Sequence, residues 1–386
     1  MLGALFFLFG FSIIAWVPRF PEIKHNLNVS NGEFGTLLSI SAIGSLVALF
    51  TVGQLVHRYG TRVLMMTSAT LLFGSIATIV HLTSTWQFAI CNMAFGAGIS
   101  AFHISINSQG LHEQAPTGER LIPRLHGLWS LGALSTAILS GFLAGRVSLV
   151  LHIDILCAVA YAIIMVIINR LGSSLMQASS EVDEQYSVRA LFRSFKIDWV
   201  MSFGLIGASM LELASGDWST IFSNQELHVK SGASAIPYVV FVSGMIVGRL
   251  FVHRITQRIG IASLTKIVTI LGGVSFIISV VVGRALSISH PVLALGIFAA
   301  GSLIGGLGVS FLVPTFMDAA NRRSTAPGSV VIGQLGALNT ALIFVCKGII
   351  AWTAQFTSIG VAFAIPSAML IAVAFTAKAF KESDSV

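Results

Sequence analysis

GQLVHRYGTR, residues 53–62, is a short polar loop between two apolar runs. A second loop, GRLFVHRITQRIG at residues 248–260, lies between two other apolar runs about half a chain later. A basic, glycine-bounded loop that recurs at a corresponding place predicts two related halves in a membrane. That arrangement is more typical of transporters than of enzymes.

The composition also predicts a membrane protein. Hydrophobic residues make up 55% of the 386 residues, charged residues 10%, and the mean hydropathy is +0.88. A soluble domain carries roughly 25% charged residues, and a spanning helix needs about 20 mostly apolar ones. The runs are too long for barrel strands, so we expect an all-α polytopic fold. The predicted spans are 2–17, 34–55, 63–81, 86–106, 125–145, 149–168, 199–222, 236–253, 261–283, 291–314, 328–350 and 358–377.

The basic residues predict the orientation of these spans. With both termini in the cytoplasm, sixteen of the 22 lysines and arginines fall on the cytoplasmic side and five on the other, with Lys347 inside a span. This is the asymmetry of the positive-inside rule. The net charge of +7 therefore reflects topology, and no clustered basic face indicates a nucleic-acid partner.

The longest polar stretch predicts the domain division. It separates an N-terminal six-helix bundle, residues 1–168, from a C-terminal one, residues 199–386, with a cytoplasmic linker at 169–198. Residues 188–197 suit either a helix on the membrane surface or an ordinary linker with basic anchors.

Weaker sequence echoes support the duplication. SLGAL at 130–134 is similar to QLGAL at 334–338 in the corresponding span of the second half, and Ala15-Trp16 is similar to Asp217-Trp218. Ser30 and Glu33 have the spacing of a capping box that opens the second span.

The first loop resembles the signature between the second and third helices of the major facilitator superfamily, Gly-x-Leu-Ala-Asp-Arg-x-Gly-Arg-Arg/Lys. The matching residues are Gly53, Leu55, Arg58, Gly60 and Arg62. The resemblance implies twelve helices in two bundles that rock about a central site, with Gly53, His57, Arg58, Gly60 and Arg62 as the conformational hinge. His57 replaces the aspartate that helps to lock one conformation in that family. It is either a weaker, pH-dependent lock or a solvated side chain that tolerates the turn.

A narrower resemblance concerns two other stretches. WVPRFPEI at 16–23 and Glu212 with Asp217-Trp218 are similar to a bacterial branch of fucose-permease-like, largely uncharacterised permeases. The fifth span lacks the Gly-Pro pair of drug exporters. This resemblance implies a multi-pass protein of the bacterial inner membrane.

Ionisable residues inside spans are functional candidates, because burying a charge in the bilayer is costly. Glu212, near the middle of the seventh span, is the strongest candidate for a proton carrier; the alternative is a neutral acid that bonds a neighbouring helix. Asp217 lies about 140° further around that helix. It either joins the coupling site through a break near Gly216 or caps the outer end of the span. Lys347 is expected to snorkel to the surface, with contact to the substrate or to a counter-ion as the alternative.

Polar faces on three spans are candidate substrate contacts, although a histidine at a helix end is often structural. His103 and Asn107 share a face one turn apart, as do His126, Trp129 and Ser130. Gln334 and Asn339 add hydrogen-bonding groups in the eleventh span.

The remaining motifs have simple interpretations. The glycine runs at 96–98 and 301–308 lack a following Gly-Lys-Ser/Thr and are expected to pack helices. The three cysteines lie inside spans, and no spacing indicates a metal, a cofactor or a catalytic set.

These features predict a monomeric, non-enzymatic, proton-coupled secondary transporter of a small polar solute, with a sugar as one candidate. An efflux permease for amphiphiles and a non-transporting membrane sensor are the alternatives.

Overall fold

The computed structural model describes residues 1–115, 121–178, 198–324, 328–378 and 380, and within these ranges the regular elements are helices. The first seven α-helices are α1 (Leu2–Ile14), α2 (Phe20–Leu27), α3 (Asn31–Ser39), α4 (Ser41–Ile79), α5 (Thr85–Gln114), α6 (Leu121–Leu143) and α7 (Leu149–Leu171). The others are α8 (Trp199–Gln225), α9 (Ile236–Ile259), α10 (Ile261–Leu286), α11 (Pro291–Val309), α12 (Leu312–Arg323), α13 (Gly328–Phe356), α14 (Ile359–Ala362) and α15 (Ala364–Val373).

These helices account for the twelve predicted spans. In the described part of the chain, ten helical stretches are long and apolar enough to cross a membrane. One of them, Asn31–Ile79, has 49 residues and is interrupted by the non-helical Gly60, so it supplies two spans. The 23-residue helix α6 is not among the ten and supplies the twelfth. The all-α, twelve-helix fold is therefore confirmed.

The chain forms two compact units. One comprises Met1–Asn28 and Leu37–Ser194, and the other comprises Val29–Thr36 and Phe195–Val386. The predicted linker, including the proposed surface helix at 188–197, falls largely on residues 179–197, outside the described residues. The boundaries 1–168, 169–198 and 199–386 stay a prediction.

Glycines let helix backbones pack closely inside each unit. A Cβ on Gly44 of α4 would overlap the Met93 carbonyl of α5, and one on Gly96 would overlap the Ser41 carbonyl. In the second unit, a Cβ on Gly306 of α11 would overlap the Phe241 carbonyl of α9. Contacts of this kind hold helices together where lipid removes the hydrophobic driving force. The packing interpretation of both glycine runs is confirmed.

The two repeated loops share one unusual backbone conformation. Gly60 has φ 78° and ψ 166°, and Gly260 has φ 72° and ψ 154°. This region of φ/ψ space is open essentially to glycine alone. Each glycine separates two spanning helices, so the repeat seen in the sequence extends to the backbone geometry.

The surroundings of the two glycines differ. A Cβ on Gly60 would lie 2.8 Å from the Met176 carbonyl oxygen and 3.1 Å from the Ala178 amide nitrogen, whereas one on Gly260 would meet no atom of the described residues within 4 Å. The stretch after α7 thus packs directly on the first loop.

The predicted capping box at Ser30 and Glu33 is also confirmed. The Ser30 amide donates to Glu33 Oε2 at 2.8 Å, and the Glu33 amide donates to Ser30 Oγ at 3.3 Å. The pair satisfies two amide groups at the start of α3 that the helix itself leaves without partners.

We predict that Gly60→Ala lowers the thermal unfolding temperature more than Gly260→Ala does. Both variants force an L-residue into a glycine-only region at a cost of about 1–3 kcal/mol, but only Gly60→Ala also displaces the Met176 carbonyl. Gly74→Ala is the matched control, because Gly74 is helical and its Cβ would meet nothing within 4 Å. Equal effects at positions 60 and 260, or at positions 60 and 74, measured in detergent, would contradict this account.

Candidate functional site

Helices α5 and α6 hold a polar cluster in the first unit. The Asn107 side-chain amide donates to the His103 carbonyl oxygen at 2.8 Å, one helical turn away. Its Oδ1 is therefore the acceptor that faces His126 Nε2 at 3.1 Å. Since that oxygen can only accept, His126 carries its proton on Nε2. The structure thus brings together three of the predicted substrate residues.

Aromatic rings surround the two histidines. The His103 ring stacks on Phe9 at 5.9 Å, and the His126 ring meets the edge of Phe6 at 5.5 Å. The two imidazoles lie 5.8 Å apart, nearly perpendicular. Sequence reasoning missed Phe6 and Phe9, because α1 is apolar along its whole length and nothing marks these two rings.

Trp129 and Ser130 follow His126 on α6. The Ser130 hydroxyl is buried and donates to the His126 carbonyl oxygen at 3.0 Å. Trp129 is half-buried, and its carbonyl oxygen lies where a Cβ on Gly10 of α1 would be. Both residues contribute to local packing, and their substrate contact stays a prediction.

The predicted hinge residues of the first loop lie on both sides of the break in α4. Gly53 and His57 are half-buried within the helix, and Arg58 lies over the Tyr59 ring at 5.3 Å. Beyond the break, Arg62 Nη2 donates to Asn169 Oδ1 near the end of α7 at 2.9 Å. The break is thus bonded to a neighbouring helix of the same unit.

Gln109, a residue that sequence reasoning missed, organises this region. Its Oε1 accepts from the Thr61 hydroxyl and from the Met176 amide, each at 2.8 Å. Its Nε2 donates to the Ser174 carbonyl at 2.9 Å, and the Thr61 amide donates to the Met176 carbonyl at 3.0 Å. Thr61, which replaces a basic residue of the family signature, therefore joins the loop to the stretch after α7.

An ion pair inside the spans corrects two predictions for the second unit. Lys347 Nζ of α13 lies 2.8 Å from Asp217 Oδ2 of α8, with side-chain exposures of only 12% and 15%. Lys347 therefore does not snorkel to the surface, and the alternative interpretation, contact with a counter-ion, is confirmed. Asp217 does not cap the span either, since α8 continues eight residues beyond it to Gln225. The attraction between opposite charges in a poorly solvated place accounts for both outcomes.

Glu212 and Asp217 both act on a third residue, Tyr238 of α9. The buried Tyr238 interacts electrostatically with both carboxylates, and Glu212 also interacts with Arg249. Helix α8 is continuous through Gly216. A Cβ on Gly216 would lie 3.6 Å from Tyr238 Cε2, so the phenol packs against the part of α8 between the two acids. Sequence alone gave no signal for Tyr238.

The side-chain amides of Gln334 and Asn339 lie in different surroundings within the eleventh span. Gln334 is buried, and Asn339 Oδ1 is a buried acceptor with no hydrogen-bond partner among the described residues. A buried polar atom without a partner is uncommon in folded proteins. Asn339 is therefore the predicted substrate residue with an unmet hydrogen-bonding need.

Twelve membrane-spanning stretches, several of which contain ionisable residues, are typical of a polytopic transporter fold. The family model of the Major Facilitator Superfamily matches residues 1–341, and the chain belongs to this family.

Two relatives and one solved structure are similar over most of the chain. An uncharacterised MFS-type transporter of Yersinia pestis is 27% identical over 97% of this chain and 93% of its own length. Membrane protein MosC of Rhizobium meliloti is 24% identical over 92% of this chain and 83% of its own. A crystal structure of a mutant nucleoside transporter NupG matches with a TM-score of 0.76 at 14% identity, covering 98% of both chains. At that identity the likeness concerns the fold alone.

We predict that Asp217→Asn and Lys347→Met each destabilise the protein strongly and that the double variant recovers much of the loss. Removing one partner leaves a poorly solvated charge uncompensated, at a cost of about 3–5 kcal/mol, whereas removing both does not. Thermal unfolding of the four proteins in detergent measures the coupling between the two residues.

Asp318→Asn is the control for this cycle. Asp318 pairs with Arg322 at 2.9 Å, but their exposures are 61% and 57%, so its loss should cost at most about 1 kcal/mol. Strictly additive effects of Asp217→Asn and Lys347→Met would refute a coupled pair.

Proposed function

We propose that this protein is a secondary active transporter that moves a small polar solute by alternating access, coupled to protons through Glu212. The observation that carries the proposal is Glu212 itself, a half-buried carboxyl within the spanning helix α8, in electrostatic contact with Arg249 and Tyr238. Placing a carboxyl group inside a spanning helix is costly. A role in binding and releasing a proton gives a reason for its presence there.

The neighbours of Glu212 suggest how a proton could be linked to solute binding. Tyr238 interacts electrostatically with both Glu212 and Asp217, and Asp217 pairs with Lys347 at 2.8 Å. A change of charge at Glu212 therefore alters the electrostatic balance at the Asp217–Lys347 pair. This supports a role for Asp217 in coupling beside Glu212.

The first-unit cluster supports a polar, ring-shaped solute. His103, Asn107 and His126 supply hydrogen-bonding groups beside the Phe6 and Phe9 rings. Apolar walls with a few placed polar groups are typical of small-molecule sites. A sugar satisfies both requirements, because its hydroxyls need hydrogen bonds and its ring faces are apolar. The fucose-permease-like resemblance agrees with this choice.

An efflux permease for amphiphiles is the second candidate, favoured by the same phenylalanine rings. Transport direction separates the two: inward, proton-driven accumulation supports the first candidate, and proton-dependent export of a cationic amphiphile supports the second.

A thermal-shift screen of the purified protein should identify the solute class. A ligand that binds only the folded state raises the unfolding temperature, and we expect stabilisation by a sugar or polyol and none by cationic amphiphiles. The reverse pattern would replace the first candidate with the second.

We predict that Glu212→Gln abolishes uphill uptake, driven by a proton gradient, of the solute that the screen identifies. Binding of that solute should be partly retained. Glutamine keeps the size and polarity of the side chain but cannot release a proton. Uptake into proteoliposomes with an acidic exterior, together with the thermal shift, measures the two properties separately.

The exposed variant Asp318→Asn is the control for this experiment and should accumulate solute like the native protein. Undiminished uphill uptake by Glu212→Gln would show that this carboxyl does not couple transport to protons.

A further inference from the structure

A cavity lies in the first unit. It has a volume of about 440 Å³ and is bordered by helices α1, α6 and α7. Its lining is apolar except for one residue, His152. Representative lining residues are Phe7 and Phe11 of α1, Leu139 and Leu143 of α6, and Ile155 and Val159 of α7.

The imidazole of His152 is held in one tautomer by a buried arginine. His152 Nδ1 lies 3.2 Å from Arg19 Nη1. A guanidinium can only donate, so Nδ1 accepts and the ring proton must be on Nε2. His152 is only 6% exposed, and its Nε2 has no hydrogen-bond partner among the described residues. His152 is thus a lining residue of the cavity whose buried Nε2–H donor is left unsatisfied by the described residues.

The arginine that orients His152 makes three further hydrogen bonds. Arg19 donates to both carboxylate oxygens of Glu22, at 2.6 and 2.7 Å, and to the Val147 carbonyl oxygen at 2.8 Å. Its charge is therefore balanced by Glu22. A ligand of the cavity needs to bring an acceptor to His152 Nε2, but it does not need to be an anion.

The position of the cavity indicates where such a ligand comes from. Leu151, Ile155 and Val159 form an exposed apolar stripe along α7, with exposures of 54%, 55% and 54%. On a membrane-spanning helix, an exposed apolar stripe faces lipid chains. His152 lies three residues from the start of α7, and the lining continues along the helix to Ile163. A glycerolipid has the same order of groups, with an ester carbonyl near the end of the span and an acyl chain further in.

We propose that this cavity, between α1, α6 and α7, is a lipid site. In it an acyl chain of a membrane glycerolipid packs along α7, and the ester carbonyl oxygen accepts a hydrogen bond from His152 Nε2. The bound lipid satisfies the buried donor and fills space between α1 and α7. This site is independent of the proposed transport function, which uses other residues.

Two phospholipids that differ only at the carbonyl test the proposal. Dioleoyl phosphatidylcholine and its diether analogue with the same chains and headgroup are titrated against the purified full-length chain in detergent, with thermal unfolding as the readout. The native protein should bind the ester lipid about three- to tenfold more tightly, the worth of one hydrogen bond.

Two isosteric variants separate the hydrogen bond from a structural role of His152. His152→Asn keeps an acceptor for Arg19 at the place of Nδ1 and removes the Nε2 donor, so the preference for the ester lipid should disappear. His152→Gln keeps a donor near the place of Nε2 and should retain the preference even if the protein is less stable. Val159→Trp, which fills the cavity from its exposed side, should weaken binding of both lipids.

Three results would overturn the proposal. They are equal binding of the two lipids by the native protein, an ester preference that survives in His152→Asn, and the absence of any lipid-dependent stabilisation. If His152→Asn unfolds during purification, the comparison of the two lipids on the native protein and on Val159→Trp still decides.

Discussion

The structure depends on one constraint, which is that a hydrocarbon environment offers no partner to a polar group. Helices satisfy this constraint for the backbone, and in the polar loop where α4 breaks, the Thr61 amide bonds the Met176 carbonyl. The side chains follow the same rule. Asp217 is paired with Lys347, Gln109 bonds the stretch after α7, and Arg19 is bonded on several sides. Residues that depart from this rule, such as Asn339, whose Oδ1 has no partner in the part of the chain that the structure describes, are therefore the most informative about ligands.

The two halves have the same glycine break, but the residues that surround it differ. Gly60 and Gly260 share a backbone conformation that only glycine adopts readily. The stretch after α7 packs on Gly60, through contacts that Gln109 reinforces, while the space where a Gly260 side chain would lie is open. The backbone conformation at the break is thus the same in the two halves, whereas the contacts around the break differ.

Much of the fold could be predicted from the sequence because its signals are local. Apolar runs of sufficient length mark the spans, glycines mark the breaks and close contacts, and Ser30 with Glu33 marks the start of a helix. The site was less predictable because its contacts are not local. Lys347 pairs with a residue 130 positions away in the chain, and Tyr238, Phe6 and Gln109 become informative only when helices pack. Lys347 and Asp217, which were expected at the ends of their spans, instead neutralise each other within the spans.

The central claim is that a carboxyl of α8 links proton movement to solute movement. The most direct test is to record the internal pH of weakly buffered proteoliposomes while an inward gradient of the stabilising solute is imposed without any initial pH difference. The account predicts that the lumen acidifies as the solute enters, with a constant ratio of protons to solute at every gradient. Solute entry with no change of internal pH would contradict it.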